Sequence, residues 1–447
     1  RREQGLKVRT VLLGDIYNEF GYGIESPTAI KAFLAYAFEK WSGSLRYVVL
    51  AGEGTYDYKG YKGKGDCLIP AVLVKARGGL FASDNWFVDF DNDLLPELAL
   101  GRLPAMTGTE LDSLVDKIIA YESVESAEWQ NRVLLVADNP DTGGNFTGAS
   151  ESVAGSIPDT YEIVRAYLGE GSFADTRSLL LGGLNDGVAF MNYFGHSGLD
   201  RMAGEGLLMS SDVSSLTNGG RQPIVTAMSC VMGRFAQPGY DSLGEVMLMS
   251  KVGGSIAVWA PTGLSMNYLS RLLGEEFYGA IFNHGEGVLG DAILTAMHGY
   301  AARTDVRYPL AVYGLLGDPA LRITGRPQVP AEDEPVTLEN WKRRWYSAKE
   351  RSMGAAVTGN AADPDGDGMS NIEEYTLGRN PRKVDETTVL GFGTMAPGSD
   401  KDRNFDAEVF FIRNKLAADT RYLVETSTDL ITWHSDGRHV TETVISE

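Results

Sequence analysis

The sequence predicts an α/β protein with a mostly parallel sheet, followed by a smaller all-β portion. From Tyr47 to about Ile323, short apolar runs backed by turn residues alternate with amphipathic stretches, which is the pattern of strand–helix–strand units. Many of those runs are apolar throughout, as expected for strands covered on both faces. Beyond Ile323 the composition shifts. Pro327, Pro330 and Pro335 among acids read as a linker, and from about residue 386 Glu408–Ile412 and Tyr422–Thr426 alternate as strands of a small sandwich do.

Taken in order, Val8–Leu13 is a β-branched apolar run and predicts a first strand. Ser26-Pro27 opens a helix over Thr28 to about Trp41, with Ser as cap and Pro just inside. Tyr47–Ala51 is the next strand and ends in Gly52-Glu53-Gly54. Residues 54–80 read as a long Gly- and Lys-containing loop. It has no Gly-Lys-Ser/Thr ending, which argues against a nucleotide phosphate site. Glu97–Leu100 predicts a strand and Glu110–Tyr121 an amphipathic helix. A second α/β set follows: a strand at Val133–Ala137, a helix at Ala149–Ile157, a strand near Tyr161–Val164, and an ambiguous segment at Asn185–Met191. Gly253–Trp259 is another buried strand, helices follow at about 266–282 and 286–302, and Leu315–Ile323 reads as a turn into a closing strand.

Composition removes several function classes. The 40 Lys and Arg against 60 Asp and Glu give a net charge of −20, without the basic cluster a nucleic-acid partner needs. No apolar run reaches the roughly 18 residues of a membrane span, and Arg1-Arg2-Glu3-Gln4 does not read as a leader peptide. Two cysteines, Cys67 and Cys230, are too few for a disulfide scaffold. They form either one bridge, or a buried thiol at Cys67 and a working thiol at Cys230.

The stretch Val188–Phe235 carries the chemistry. One apolar run ends at Phe194 and delivers Gly195-His196-Ser197-Gly198; another, Pro223–Met228, delivers Ser229-Cys230. Ligands of open α/β sheets bind beyond the carboxyl ends of the strands, so His and Cys delivered there can act as base and nucleophile. A lone Cys after a strand is ordinarily a core thiol; the pairing gives it weight. The backbone N–H groups of Ser197 and Cys230 are candidate oxyanion donors. Rival sets are absent: there is no Gly-x-Ser-x-Gly elbow, and His284 and His298 form no His-Glu-x-x-His.

Asp363-Pro364-Asp365-Gly366-Asp367-Gly368-Met369-Ser370-Asn371-Ile372-Glu373-Glu374 fits a twelve-residue calcium loop. Asp363, Asp365 and Asp367 occupy positions 1, 3 and 5, Gly368 makes the turn, Met369 offers a carbonyl, and Asn371 and Glu374 stand at 9 and 12. A looser acidic group, Asp89, Asp91 and Asp93 with Glu97 close behind, is a second candidate for calcium.

Gly195-His196-Ser197-Gly198 followed by Ser229-Cys230 resembles the gingipain family of cysteine peptidases, peptidase family C25. Val49–Tyr58, Leu98–Pro104 and Leu316–Leu321 match the same family in order. The resemblance implies a caspase-like unit of two adjacent α/β subdomains with mostly parallel sheets, over 1–130 and 131–325. A linker with the calcium loop (326–385) and a small β-sandwich-like domain (386–447) complete the expected organisation, the tail after 360 resembling thrombospondin-type-3-like calcium motifs behind bacterial secreted enzymes. The resemblance also implies Cys230 as nucleophile, His196 as base, an acid in the loop after Val133–Ala137 (Asp138, with Asp141 in reserve), secretion, and protein or peptide substrates. Two departures stand out: Ser197 replaces the Gly usual after the His, and the loop near Gly144-Asn145-Phe146 lacks the acid of members that cut after Arg or Lys. The expectation is therefore a secreted, calcium-binding cysteine endopeptidase. Its rivals are a transpeptidase on the same scaffold and an inactive calcium-dependent surface-binding protein.

Overall fold

A computed structural model describes residues 1–41, 45–64, 67–324, 337–346, 355–382, 390–394, 407–411, 414 and 417. The chain divides into two compact units, Arg1–Pro327 and Gln328–Glu447.

The first unit is built on one eight-stranded sheet. Its strands, in chain order, are β1 Tyr47–Ala51, β2 Ala99–Leu103, β3 Arg132–Ala137, β4 Glu162–Tyr167, β5 Phe190–Phe194, β6 Ile224–Met228, β7 Ala257–Pro261 and β8 Tyr313–Leu316. Their spatial order is β1-β2-β8-β7-β6-β5-β3-β4. All neighbours are parallel except β7 and β8, and strands of both halves of the unit share the sheet, meeting where β8 lies parallel to β2. Every residue of β2, β5, β6 and β7 is buried, so helices must cover both faces there. One core extends from Ala71 to Ile323, and a smaller one joins Ile16, Ile30, Leu34, Leu50, Phe87 and Leu100.

The capping signals act as written. Ser26 Oγ accepts from Thr28 N at the start of Pro27–Lys40, and Thr107 with Glu110 forms a capping box on Gly108–Glu122. Arg102 of β2 is fully buried; its guanidinium forks onto Asp84 (2.7 and 2.8 Å) and also donates to Gly52 O (2.9 Å).

Four local expectations change, the first being that the stretch 54–80, expected as loop, ends in an antiparallel hairpin of Leu73–Ala76 with Gly79–Ala82. Val8–Leu13 is not a strand: the chain runs without regular pairing to Leu12 and then forms the helix Leu13–Phe20. Val8, Val11 and Leu12 stay exposed, so β-propensity has no neighbouring strand to act on. The ambiguous Asn185–Met191 segment spans the end of the helix Phe173–Asp186, Gly187 at φ 89°, and the first residues of β5. The closing strand β8 precedes the Gly317-Asp318-Pro319 turn rather than following it.

The second unit contains the helix Leu338–Trp345, the helix Asn371–Leu377 and an antiparallel pair, Leu390–Thr394 with Ala407–Phe411. Trp341, Tyr346 and Tyr375 form its small core. The expected linker 325–335 and the expected strand Tyr422–Thr426 lie outside the described residues.

Candidate active site

Register brings the catalytic candidates to one edge. Phe194 of β5 pairs with Met228 of β6, so His196 and Cys230 each follow two residues past the same level of adjacent parallel strands. On the other side Ala137 of β3 pairs with Phe194. Asp138 N continues that ladder to Phe194 O at 2.9 Å. The loops behind β3, β5, β6 and β7 thus converge at the carboxyl edge of the sheet.

Packing fixes the His196 loop. A Cβ on Gly195 would overlap the Tyr193 hydroxyl and Asp138 Cβ, so only glycine fits. Tyr193 Oη donates to His196 O, and Ala203 N donates to Tyr193 Oη (2.8 Å) and His196 O (2.8 Å). The imidazole itself is half exposed. Its Nε2 lies 3.0 Å from Asp141 Oδ2, and the Phe146 ring meets it edge-on at 5.2 Å. With Asp141 on Nε2, Nδ1 has no hydrogen-bond partner among the described residues and can meet a second group.

The carboxylate on the imidazole is therefore Asp141, not Asp138. Asp138 is buried, 3% exposed, and its Oδ2 accepts the backbone N–H of His196 at 3.1 Å while Oδ1 accepts from Asn139 N. The reason is reach. Asp138 directly extends β3 and meets the neighbouring backbone, whereas the bridged turn Asp141↔Gly144 carries Asp141 out to the ring. Burial raises the Asp138 carboxyl above its ordinary value; Gly143 N–H and then His196 hold that of Asp141 below it. A Cβ on Gly143 would lie 2.9 Å from His196 Cε1, so this glycine too is a contact of the ring.

The thiol sits deeper. Cys230 Sγ accepts from Ser265 N (3.5 Å) and lies 3.7 Å from Ser265 O. Among the described residues its hydrogen-bond partners come from Ser265, not from His196. Burial pushes the thiol up, offset by Ser265 N–H and by the positive charge of Arg77. Cys230 and Cys67 are both free, so there is no bridge; Cys67 packs against Thr55, whose N–H donates to it at 3.4 Å.

Of the two oxyanion donors expected, Cys230 N–H donates to Ser197 Oγ (3.2 Å), and Ser197 Oγ donates to Cys230 O. The Ser197 N–H has no acceptor among the described residues. Val231 adopts φ 38°, a left-handed conformation rare for a β-branched residue, at the sharp turn behind Cys230. Val231 N to Gly263 O and Gly233 N to Pro261 O, both 3.0 Å, hold that turn. Sequence reading missed Val231, Gly143, Ser265 and Arg77; the Gly143-Gly144 pair behind Asp141 was a signal only for a loop.

Two carboxylate groups have oxygens close enough to hold a metal ion: Asp363, Asp365 and Asp367, and Asp89, Asp91 and Glu97. In the first, Gly366 (φ 76°) and Gly368 (φ 93°) fold the loop so that both donate N–H to Asp363, and Asp365 Oδ2 is buried without a hydrogen-bond partner. Glu374 is fully buried. That donor set fits a hard cation. Asn371 does not belong to it: its Oδ1 accepts from Tyr346 Oη and its Nδ2 donates to Val357 O and Gly359 O. In the second group Glu97 takes the place expected for Asp93, whose Oδ1 instead accepts from Leu95 N.

Residues 1–324 match the model of peptidase family C25. The chain belongs to that family. Among its relatives are Lys-gingipain W83 of Porphyromonas gingivalis, 27% identical over 210 residues, and Lys-gingipain 381 of the same species, 26% identical over 202 residues. Each alignment covers 44% of this chain but only 11% of the relative, so the chain spans a small part of those proteins' length. In fold, the C25 chain is similar to the crystal structure of the Arg-specific cysteine proteinase gingipain R, with TM-score 0.57 and 20% identity over 73% of this chain and 76% of that one. A complex of Porphyromonas gingivalis RgpB pro- and mature domains gives TM-score 0.56 and 20% identity over 73% and 77%. The mostly parallel sheet expected of a caspase-like fold is thus the one found. No described helix is long and apolar enough to cross a membrane.

Proposed function

We propose that this chain is a secreted cysteine endopeptidase in which Cys230 is the nucleophile, His196 the general base and Asp141 the group that orients the ring. The observation that carries this reading is the matched offset of His196 and Cys230 beyond β5 and β6, with Nδ1 left open by Asp141 on Nε2. His196 Nδ1 takes the proton from Sγ, and the thiolate attacks the scissile carbonyl carbon. The resulting oxyanion accepts from Ser197 N–H, and from Cys230 N–H once Ser197 Oγ releases it. Collapse breaks the C–N bond, the departing amine takes the proton from the imidazolium, and water then hydrolyses the thioester with the same base. A buried, protonated thiol requires such a base.

Asp363, Asp365 and Asp367, with the Met369 carbonyl and Glu374, would hold calcium in the second unit, which supplies charge neutralisation and rigidity there. Substrates are proteins or peptides. Bacterial relatives and the acidic composition support an extracellular place of action. The deciding experiment is digestion of an unfolded protein together with stoichiometric labelling by a peptidyl electrophile. Both should vanish in Cys230→Ala; internal cleavage that survives the substitution would overturn the assignment.

A further inference from the structure

The positive charge that acts on the thiol is that of Arg77, which forms no ion pair among the described residues. The hairpin Leu73–Ala76 and Gly79–Ala82 turns at Arg77-Gly78. Gly78, at φ 81°, comes so close to the loop behind β7 that a Cβ there would sit 2.7 Å from Leu264 Cδ1. The same loop carries Ser265, whose N–H and carbonyl flank Cys230 Sγ. Its next residue, Met266, receives Arg77 Nη1 on its Sδ at 2.7 Å. Arg77 therefore stands one residue from the groups that touch the nucleophile.

Arg77 is exposed and forms no ion pair among the described residues, although acids outnumber bases by 20 in this chain. Two further arginines near the hairpin behave alike. Arg234, just behind Cys230, lies over the Phe81 ring at 5.7 Å. Arg307 precedes the helix Tyr308–Val312, which packs on Leu73–Ala76, and its Nη1 is buried without a partner. The charge of Arg77 reaches both Cys230 and Tyr308. The acids of the site, Asp138 and Asp141, are on the imidazole side and are committed there. A thioether is a weak acceptor, so most of the guanidinium fork remains available, and its geometry matches a carboxylate.

We infer that Arg77 determines specificity, selecting a substrate whose residue on the acyl side of the scissile bond is Asp or Glu. This rests on the peptidase reading above. A substrate carboxylate would take up the free face of the fork while its own carbonyl carbon faces Cys230. A Lys or Arg side chain in that place would meet like charge.

The test uses the full chain with two parallel series carrying Asp, Glu, Leu, Lys or Arg at that position: fluorogenic peptides for hydrolysis and peptidyl chloromethyl ketones for alkylation of Cys230. A charge-assisted hydrogen bond corresponds to about tenfold to hundredfold in kcat/KM, so acidic members should lead by that factor. In Arg77→Glu the acidic-to-basic ratio should invert. The ratio within one enzyme cancels any general effect on the thiol. Preference for Lys or Arg, or a ratio unchanged in Arg77→Glu, overturns the inference and leaves the peptidase intact. Acid-selective alkylation without hydrolysis of any peptide overturns the peptidase and keeps the inference. Absence of side-chain selectivity in both series also overturns it.

Discussion

Gly143→Ala separates catalysis from stability at this site. An added Cβ would stand 2.9 Å from His196 Cε1 and 3.0 Å from both His196 Nε2 and Asp141 Oδ1. Non-bonded carbons settle near 3.5 Å or beyond, so the ring must retreat by about 0.6 Å, and the carboxylate with it. The obstacle is the free end of a half-exposed side chain rather than backbone, so the fold yields at little cost. Gly143 is itself exposed, and alanine at such a position reduces the freedom of the unfolded chain by an amount worth about 0.4–1 kcal/mol. Misplacement of a catalytic group by about 1 Å costs on the order of a hundredfold. The expected result is kcat/KM down between tenfold and a hundredfold on a fluorogenic peptide, with Tm equal to or slightly above the parent's. Activity within twofold of the parent would show that the ring is not where the chemistry requires it, and the assignment of His196 would fall.

Other outcomes follow from the same geometry. Asp141→Asn should lower kcat far more than Asp138→Asn lowers it per degree of Tm lost, because the second change weakens a backbone contact; equal kcat losses at equal Tm would put the orienting role back on Asp138. Iodoacetamide should alkylate Cys230 in the free protein with a pH midpoint above that of an ordinary thiol, since burial raises it; a plateau already reached below neutrality would mean a preformed thiolate–imidazolium pair instead. Burial and the neighbouring acids raise the Glu53 carboxyl well above its ordinary range. The folded chain thus holds a proton the unfolded chain releases, and stability present in acid is lost as pH rises toward neutrality, at about 1.4 kcal/mol per pKa unit. Urea midpoints at pH 5 and pH 8 should differ less in Glu53→Gln than in the parent, and an identical difference refutes the assignment. Calcium should raise the melting temperature of metal-stripped protein by linkage, by about 2.7 kcal/mol of stability at a hundredfold excess over Kd; Asp365→Ala should abolish the rise, and a rise that persists removes that loop.

Sequence pattern located His196 and Cys230 because each ends a run that must be buried on both faces, and such runs have few alternatives to a central parallel strand. The same reasoning failed at Val8–Leu13, where a β-branched run has no sheet edge to join and remains exposed. It also ranked Asp138 over Asp141. Distance along the chain favours the residue next to the strand, but the strand's own continuation spends that residue on the neighbouring backbone, and the farther aspartate reaches the ring on a two-glycine turn. Asn371 fitted the calcium spacing yet spends its amide on the packing of Tyr346, Val357 and Gly359. Arg77 was invisible for another reason: only the folded hairpin brings it beside Met266, far away in sequence.

The site divides into a fixed side and an adjustable one, and the division bears on how the thiol is activated. Cys230 is fixed by Val231 in a strained turn, by the double contact with Ser197, and by Ser265 against Sγ. His196 has a fixed backbone but a ring held by Asp141, itself exposed, and by the Phe146 edge. Any closing of the pair is therefore cheaper as a movement of the imidazole than of the thiol. On the proposed mechanism, a substrate that excludes water from the cleft strengthens the attraction between thiolate and imidazolium, so proton transfer gains most once a peptide is bound. A protonated, buried thiol at rest also resists adventitious oxidation. On the proposed mechanism, reactivity is conferred by the substrate's arrival rather than stored in the free protein.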